Sequence, residues 1–410
     1  MDSATQTPLL EPLSYHIALA DHLASTEDEA WRWFSDSLAG PEHAEKVRLD
    51  LLKATYRIDR ESKPELYALA DKAKSVLGVT APLTLYQMQQ APDGGMNAVL
   101  FYLPGEMHIT FVGPVLERLG ESELLALFGH EIGHFMLLEL FEGRYRIVEE
   151  LLHALVQDQS AQPAHEESYR LFHLYKEILC DRASVMACED LHASITMLVK
   201  METGASDVSA ESYLKQAAEV FSKSAVKTDG LSHPECFIRA RALELWSQRP
   251  EDLEEQVNRL IEGGPLLDGM DLLGQKRITE LTRKLVDSLL AEKWIRCEPV
   301  LAHARLFFED YHPPEVPPTE EELKPLLEVK DEKLAKYLCY VLLDFVASDR
   351  EIEEPALAAV LVLCRQLKLE KYFRPIATKE LKLKKRQFDK LEKEAEDILA
   401  AARKSPEAQE

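Results

Sequence analysis

Two histidines four residues apart, His130 and His134, stand in the stretch LFGHEIGHFM (residues 127–136), with Glu131 directly after the first. On a helix, residues four apart lie one turn above each other on one face, so both imidazoles could aim a ring nitrogen at one ion. Glu131 would then point at a water on the open side of that ion, where hydrolysis needs a general base. The plain alternative is two solvated histidines on an ordinary helix. The neighbours argue against it: Leu124, Leu127, Phe128, Ile132, Phe135 and Met136 are apolar, and a buried imidazole needs a partner. Gly133 is expected to keep the helix surface low where substrate approaches.

A catalytic zinc usually keeps three protein ligands and one open position. A third histidine six residues after the second is ruled out, because position 140 is Leu. Glu149, Glu150 and His153 lie a few turns downstream and stay open as candidates. The segment LYKEILCDRASVMA offers more, with Glu177 and Asp181 four apart between apolar flanks (Leu171, Leu174, Ile178, Leu179, Val185, Met186). Glu177 is the favoured third ligand. Asp181, one turn on, would accept the free N–H of a ligand histidine and fix its tautomer.

These residues need elements to hold them. Residues 1–60 carry helical periodicity, and PELYALADKAKSVLGV from Pro64 reads as an amphipathic helix. The next stretch, APLTLYQMQQAPDGGMNAVLFYLPGEMHITFVG, is rich in β-branched and aromatic residues. Asp93-Gly94-Gly95 and Pro104-Gly105 break it into short strands joined by tight turns. A helix GESELLALFGHEIGHFMLLELF follows, with Ser122 and the acids at 121 and 123 suiting its N-terminus. Beyond residue 143 the pattern is nearly all helical, with a loop expected at 157–168 and another near KTDGLSHPE. The Pro-rich acidic stretch 310–325 is the best linker candidate. The expected class is α+β and predominantly α-helical: a zincin-type domain with a small antiparallel sheet, plus a helical C-terminal domain. The expected divisions are 1–60, 61–250, 251–315 and 316–410.

LLALFGHEIGHFM, KEILCDRASVMA and LSHPECFIRARAL, in that order, resemble the three blocks of the HtpX/CAAX-prenyl-protease zinc metallopeptidases, a branch of the gluzincins. The preceding MNAVLFYLPGEMHITFVG is similar to that family's Asn-Ala strand block. The resemblance spans roughly residues 64–245. It implies one zinc per chain held by His130, His134 and Glu177, Glu131 as general base, and Asp181 supporting a ligand. It places the His233-Pro234 block beside the cleft, which makes His233 the candidate for stabilising the tetrahedral oxyanion. Arg239 is expected to pair with an acid near the metal. The strand EMHITFV is a candidate to bind an extended peptide by strand addition, with Asn97 as a possible anchor.

Many relatives carry membrane spans between the second histidine and the glutamate ligand; here RYRIVEELLHALVQDQSAQPAHEESYR is polar. No run of ~18 apolar residues is uninterrupted, so no integral membrane segment is expected. The chain resembles the soluble members, and its substrate is expected to be a peptide or unfolded protein. With 48 Lys+Arg against 72 Asp+Glu the net charge is −24, which argues against nucleic acid. Six cysteines without CxxC spacing and no signal peptide point to reduced thiols and the cytoplasm.

YLCYVLLDFVASDREIEEPALAAVLVLCRQLKL reads as two helices around an acidic turn and resembles a TerB-like module, although the glycine usual after the aspartate is Arg350 here. Asp344, Asp349, Glu351, Glu353 and Glu354 could hold a hard cation; a solvated turn is the favoured reading. This third is expected to recruit a protein partner or cover the cleft. The activity expected overall is zinc-dependent endopeptidase. The alternative is an inactive metallopeptidase-like scaffold serving as a protein–protein adaptor.

Overall fold

The computed structural model describes residues 10–37, 41–88, 95–223, 226–263, 267, 269–329 and 331–404. The chain forms two compact units, one of residues 1–263 with 271–273, the other of 264–270 with 274–410.

The first unit opens with helices α1 (Ser14–Thr26), α2 (Asp28–Ser37) and α3 (Pro41–Ala54). The short strand β1 (Thr55–Arg57) follows, in a region expected to be helical throughout. Thr55 and Tyr56 favour extended backbone, and the rim of β2 (Leu83–Met88) captures them as an antiparallel partner. Between them lies α4 (Pro64–Val76), with Leu66, Ala70 and Ala73 buried as the periodicity requires.

Strands β3 (Asn97–Leu103) and β4 (Glu106–Val112) form a hairpin closed by Pro104-Gly105, where Gly105 takes a φ of +74° that a side chain would resist. The expected turn at Asp93-Gly94 lies outside the described residues. The sheet order is β1-β2-β4-β3, and β2 pairs with β4 in parallel. The sheet is therefore mixed rather than antiparallel throughout, because the hairpin folds back so that β4, not β3, lies against β2. This also corrects the substrate-strand expectation. EMHITFV is β4, an interior strand with both edges used; among the described residues the sheet's edges belong to β1 and to β3, and β3, the strand that begins with Asn97, is the one packed against α6.

The short helix α5 (Val115–Arg118) leads into α6 (Glu121–Gln157). Glu123 accepts the Gly120 N–H at 2.8 Å, and the acids at 121 and 123 suit the positive end of the helix. After Leu140 the helix breaks: Phe141, Glu142 and Gly143 take φ of +49°, +59° and +81°. Left-handed backbone costs a side-chain-bearing residue about 1–2 kcal/mol, so the bend is imposed by packing on either side. α7 (Pro163–Cys188) starts at once on Pro163, whose missing N–H costs nothing at that position, so the loop expected at 157–168 shrinks to 158–162. α8 (Leu191–Thr203), α9 (Ala210–Lys223), α10 (Cys236–Gln248) and α11 (Leu253–Ile261) complete the unit. Phe111 of β4 meets Phe128 of α6 edge to face at 5.9 Å in the core. Each such buried side chain contributes roughly 1.5–3 kcal/mol.

The second unit is helical: α12 (Leu272–Leu290), a single 3-10 turn at Lys293–Ile295, α13 (Glu298–Phe307), α14 (Glu320–Leu327), α15 (Glu332–Ala347), α16 (Glu353–Gln366), α17 (Glu370–Glu380) and α18 (Lys385–Ala402). α15 and α16 flank the acidic turn as expected. Asp349 is occupied by the Glu351 N–H at 2.9 Å and the Cys297 thiol at 3.2 Å. The Pro-rich stretch lies inside this unit, where buried Tyr311 donates to Asp287 at 2.9 Å. All six cysteines are free thiols.

By length and composition α6 is the one described helix apolar enough to cross a membrane. Its most apolar stretch is 67% buried within the fold, as in the core helix of a globular protein.

Candidate metal centre

The site is made by the crossing of α6 and α7, and small residues set how closely they cross. A Cβ on Gly129 would sit 2.5 Å from the Ala187 Cβ and 2.7 Å from the Ala183 carbonyl oxygen. One on Gly133 would sit 2.9 Å from the Ala183 Cβ and 3.0 Å from the Cys180 Cα. Gly129 and Gly133 are one turn apart, as are Ala183 and Ala187, so two small faces meet. Gly133 therefore serves the helix contact, not the approach of substrate as expected. This close approach brings Glu177 and Asp181 of α7 against His130 and His134 of α6.

His130 Nε2 lies 3.2 Å from His134 Nε2 and 3.3 Å from Glu177 Oε2, and His134 Nε2 lies 3.4 Å from Glu177 Oε1. Among the described residues this is the one group whose three ligand atoms gather within 4.8 Å. Four ligands at about 2.0–2.1 Å from a zinc ion stand about 3.3 Å from one another in a tetrahedron, which matches these separations. The two ring nitrogens are also within hydrogen-bond distance of each other, and the carboxylate beside both completes a three-atom donor set. The donor set fits a divalent metal.

Behind the ligands sits a second layer. Asp181 Oδ1 lies 3.1 Å from His130 Nδ1 and accepts its N–H, leaving Nε2 to face the other ligands. Arg239 of α10 holds Asp181 side-on, Nε to Oδ2 at 2.8 Å and Nη2 to Oδ1 at 2.6 Å, and lies 3.3 Å from Glu177 Oε2. Burial alone would raise both carboxyls. His134, His130 and Arg239 hold Glu177 well below its usual range, and Arg239 and His130 lower Asp181. Burial keeps His134 neutral, well below an ordinary imidazole. For His130, hydrogen bonds to Asp181 and Glu177 outweigh burial and lift it to about 10.

Glu131 is buried beside these residues, on the side facing β3, where the nearby backbone N–H of Leu100 favours its charged form. Its Oε2 has no partner, and burial pushes its carboxyl up to about 7. His233 sits just before α10, with its side chain 60% exposed and Nε2 3.6 Å from Glu177 Oε1. Ser232 Oγ contacts its Nδ1 at 2.9 Å. Asn97 is exposed at the start of β3, its Oδ1 accepting the N–H of Ala98 at 2.9 Å. The open alternatives for the third ligand lie elsewhere. Glu149 accepts from Lys176 at 2.6 Å, and Glu150 and His153 are exposed. The acids of the C-terminal turn do not gather ligand atoms among the described residues.

Two features of the site went unread in the sequence: the pairing of Gly129 and Gly133 with Ala183 and Ala187, and the Leu100 N–H under Glu131. The first left a signal, small residues four apart on both helices. The second is a backbone group and left none.

No family model and no solved structure matches this chain. It is 24% identical over 247 residues to the plastoglobule-localized metallopeptidase 48, chloroplastic, of Arabidopsis thaliana, an alignment covering 55% of this chain and 70% of that protein. A metallopeptidase relative and a His-His-Glu set able to hold a metal together support a metal-dependent protease.

Proposed function

We propose that the chain is a zinc-dependent endopeptidase that holds one zinc through His130, His134 and Glu177, with Glu131 as its general base. The observation that carries this reading is the convergence of three ligand atoms beside a buried carboxylate with a free oxygen. Bound zinc would supply a Lewis acid for the scissile carbonyl and acidify water. Glu131 takes the proton of the attacking water and returns it to the leaving amine. His233, at the rim of the ligand set, donates a hydrogen bond to the oxyanion. Asp181 holds the His130 tautomer and Arg239 keeps Asp181 in place. The open edge of β3 receives an extended peptide, with Asn97 at its entrance.

In this proposal the chain is of the HtpX/CAAX-prenyl-protease type within the gluzincins, works in the cytoplasm on peptides or unfolded proteins, and uses a TerB-like C-terminal module to engage a protein partner. The adaptor alternative would not require Glu131, and a buried carboxyl with an unpartnered oxygen is a cost that a scaffold has no reason to carry. The test is Glu131→Gln: hydrolysis of unfolded casein, sensitive to chelator in the parent, falls by at least ~10³-fold while zinc content stays at one per chain. Equal turnover in the two proteins overturns the proposal.

A further inference from the structure

Arg146 is a partly buried arginine that, among the described residues, forms no ion pair with an acid. In the first unit, the other described arginines that are buried or partly buried each have a carboxylate within 4 Å: Arg144 with Asp21, Arg170 with Glu167, Arg182 with Glu254, Arg239 with Asp181 and Arg241 with Glu244. Arg146 instead donates from Nη1 to the Tyr102 hydroxyl at 3.2 Å and lies over the Tyr102 ring, its Cζ 5.6 Å from the centroid. Its Nε is buried without an acceptor. Glu139, the acid nearest in this network, already accepts from the Tyr102 hydroxyl and from the Gly105 N–H, and forms no ion pair with Arg146. The Nε and Nη2 edge with which Arg239 grips Asp181 carries no protein acceptor in Arg146.

The place of this cation gives it a use. Tyr102 lies on β3, the open-edged strand, two residues beyond Leu100, whose N–H lies near Glu131. Two strand residues span about 7 Å, so the guanidinium stands within a few residues of the reacting bond of a peptide laid along that edge. Gly143 covers the guanidinium: a Cβ there would be 3.5 Å from Nη2 and 3.6 Å from Nε. Gly143 belongs to the left-handed bend after Leu140, a turn whose conformation is held against its own preference. Arg146 keeps part of its surface in solvent, and Nη2, unlike Nε, is not buried, so a ligand reaches this edge from the Nη2 side. A planar guanidinium with a free edge is suited to bidentate capture of a carboxylate.

We infer that Arg146 reads a carboxylate on the bound peptide, so that the site prefers substrates with an acidic side chain or a free C-terminus a few residues from the scissile bond. This rests on the peptidase reading above. It runs against the net charge of −24, whose field favours cationic peptides, so the preference identifies a local contact and not long-range attraction.

The test uses zinc-loaded Glu131→Gln full-length chain and fluorescent peptides of one sequence in four forms: Glu or Gln at the variable position, each with a free or amidated C-terminus. Anisotropy titrations are expected to give at least ~10-fold tighter binding for a form bearing the carboxylate than for the Gln amide, and the four forms tell a side-chain carboxylate from a terminal one. Adding Arg146→Met brings that ratio close to one, and Arg146→Lys restores part of it. A ratio that Arg146→Met leaves unchanged, or an equal loss of affinity for all four peptides, overturns the inference while leaving the peptidase reading intact. Failure of every peptide to bind overturns both.

Discussion

Arg239 holds Asp181 by both of its side-on nitrogens, at 2.8 and 2.6 Å, and Asp181 in turn holds the ring of His130. Three helices are therefore tied to one imidazole: α10 gives the arginine, α7 the aspartate and α6 the histidine. Asp181→Asn keeps the shape and loses the charge, and is expected to weaken zinc affinity by about 10–100-fold in competition with a chromophoric chelator. Arg239→Met leaves two buried carboxylates without their cation and is expected to destabilise the first unit by about 3–5 kcal/mol in urea unfolding. Parent-like zinc affinity in Asp181→Asn would remove Asp181 from the metal's support.

Glu177→Ala removes the one proposed ligand that comes from outside α6. Elemental analysis after dialysis is expected to find little zinc, and chelator should no longer lower the melting temperature of the variant as it does the parent's. Full occupancy would show that the third ligand lies elsewhere.

The glycines of α6 set the approach of α7, so adding one methyl group should be felt at the metal. Gly129→Ala, facing the tightest contacts, is expected to cost about 1–3 kcal/mol and to lower zinc affinity. Pairing it with Ala187→Gly removes the 2.5 Å contact but not the one to the Ala183 carbonyl, so recovery should be partial. Thermal melts with zinc titrations on the four proteins of this cycle measure both effects, and additive losses would disprove the coupling.

His16 is fully buried between Phe172 and Tyr145, and burial pushes its pKa down to about 3 from an ordinary 6.5. Its folded-state value lies below its unfolded one, so the native state binds fewer protons. The contribution to stability is complete above pH 6.5, is lost progressively as pH falls, and is gone below about pH 3. His16→Phe should flatten that loss by about 3 kcal/mol between pH 7 and 4, measured by urea unfolding at each pH against the parent. Parallel pH curves for the two proteins would refute the assignment.

The clustering of these residues was readable because four residues is about one helical turn, and His130 with His134, like Glu177 with Asp181, use that interval. The helical class followed from apolar periodicity in the same way. What resisted reading was set by partners distant in the chain. Thr55–Arg57 becomes a strand only because β2 offers it an edge, and β4 becomes interior only because the hairpin inserts it beside β2. The bend after Leu140 carries no proline, and its one glycine comes after two left-handed side-chain-bearing residues, so local preference pointed the wrong way. Asn97, named as a possible anchor, does lie on the open-edged strand, while its own amide oxygen is occupied locally.

That bend has a further consequence. His130, Glu131 and His134 precede it, while Arg146 and Glu149 follow it, so the chain changes direction between the turn facing the metal cluster and the turn that reaches Tyr102 and α7. Glu149 accepts from Lys176, the residue before Glu177, so the half beyond Gly143 braces the very helix that carries the carboxylate to the two imidazoles.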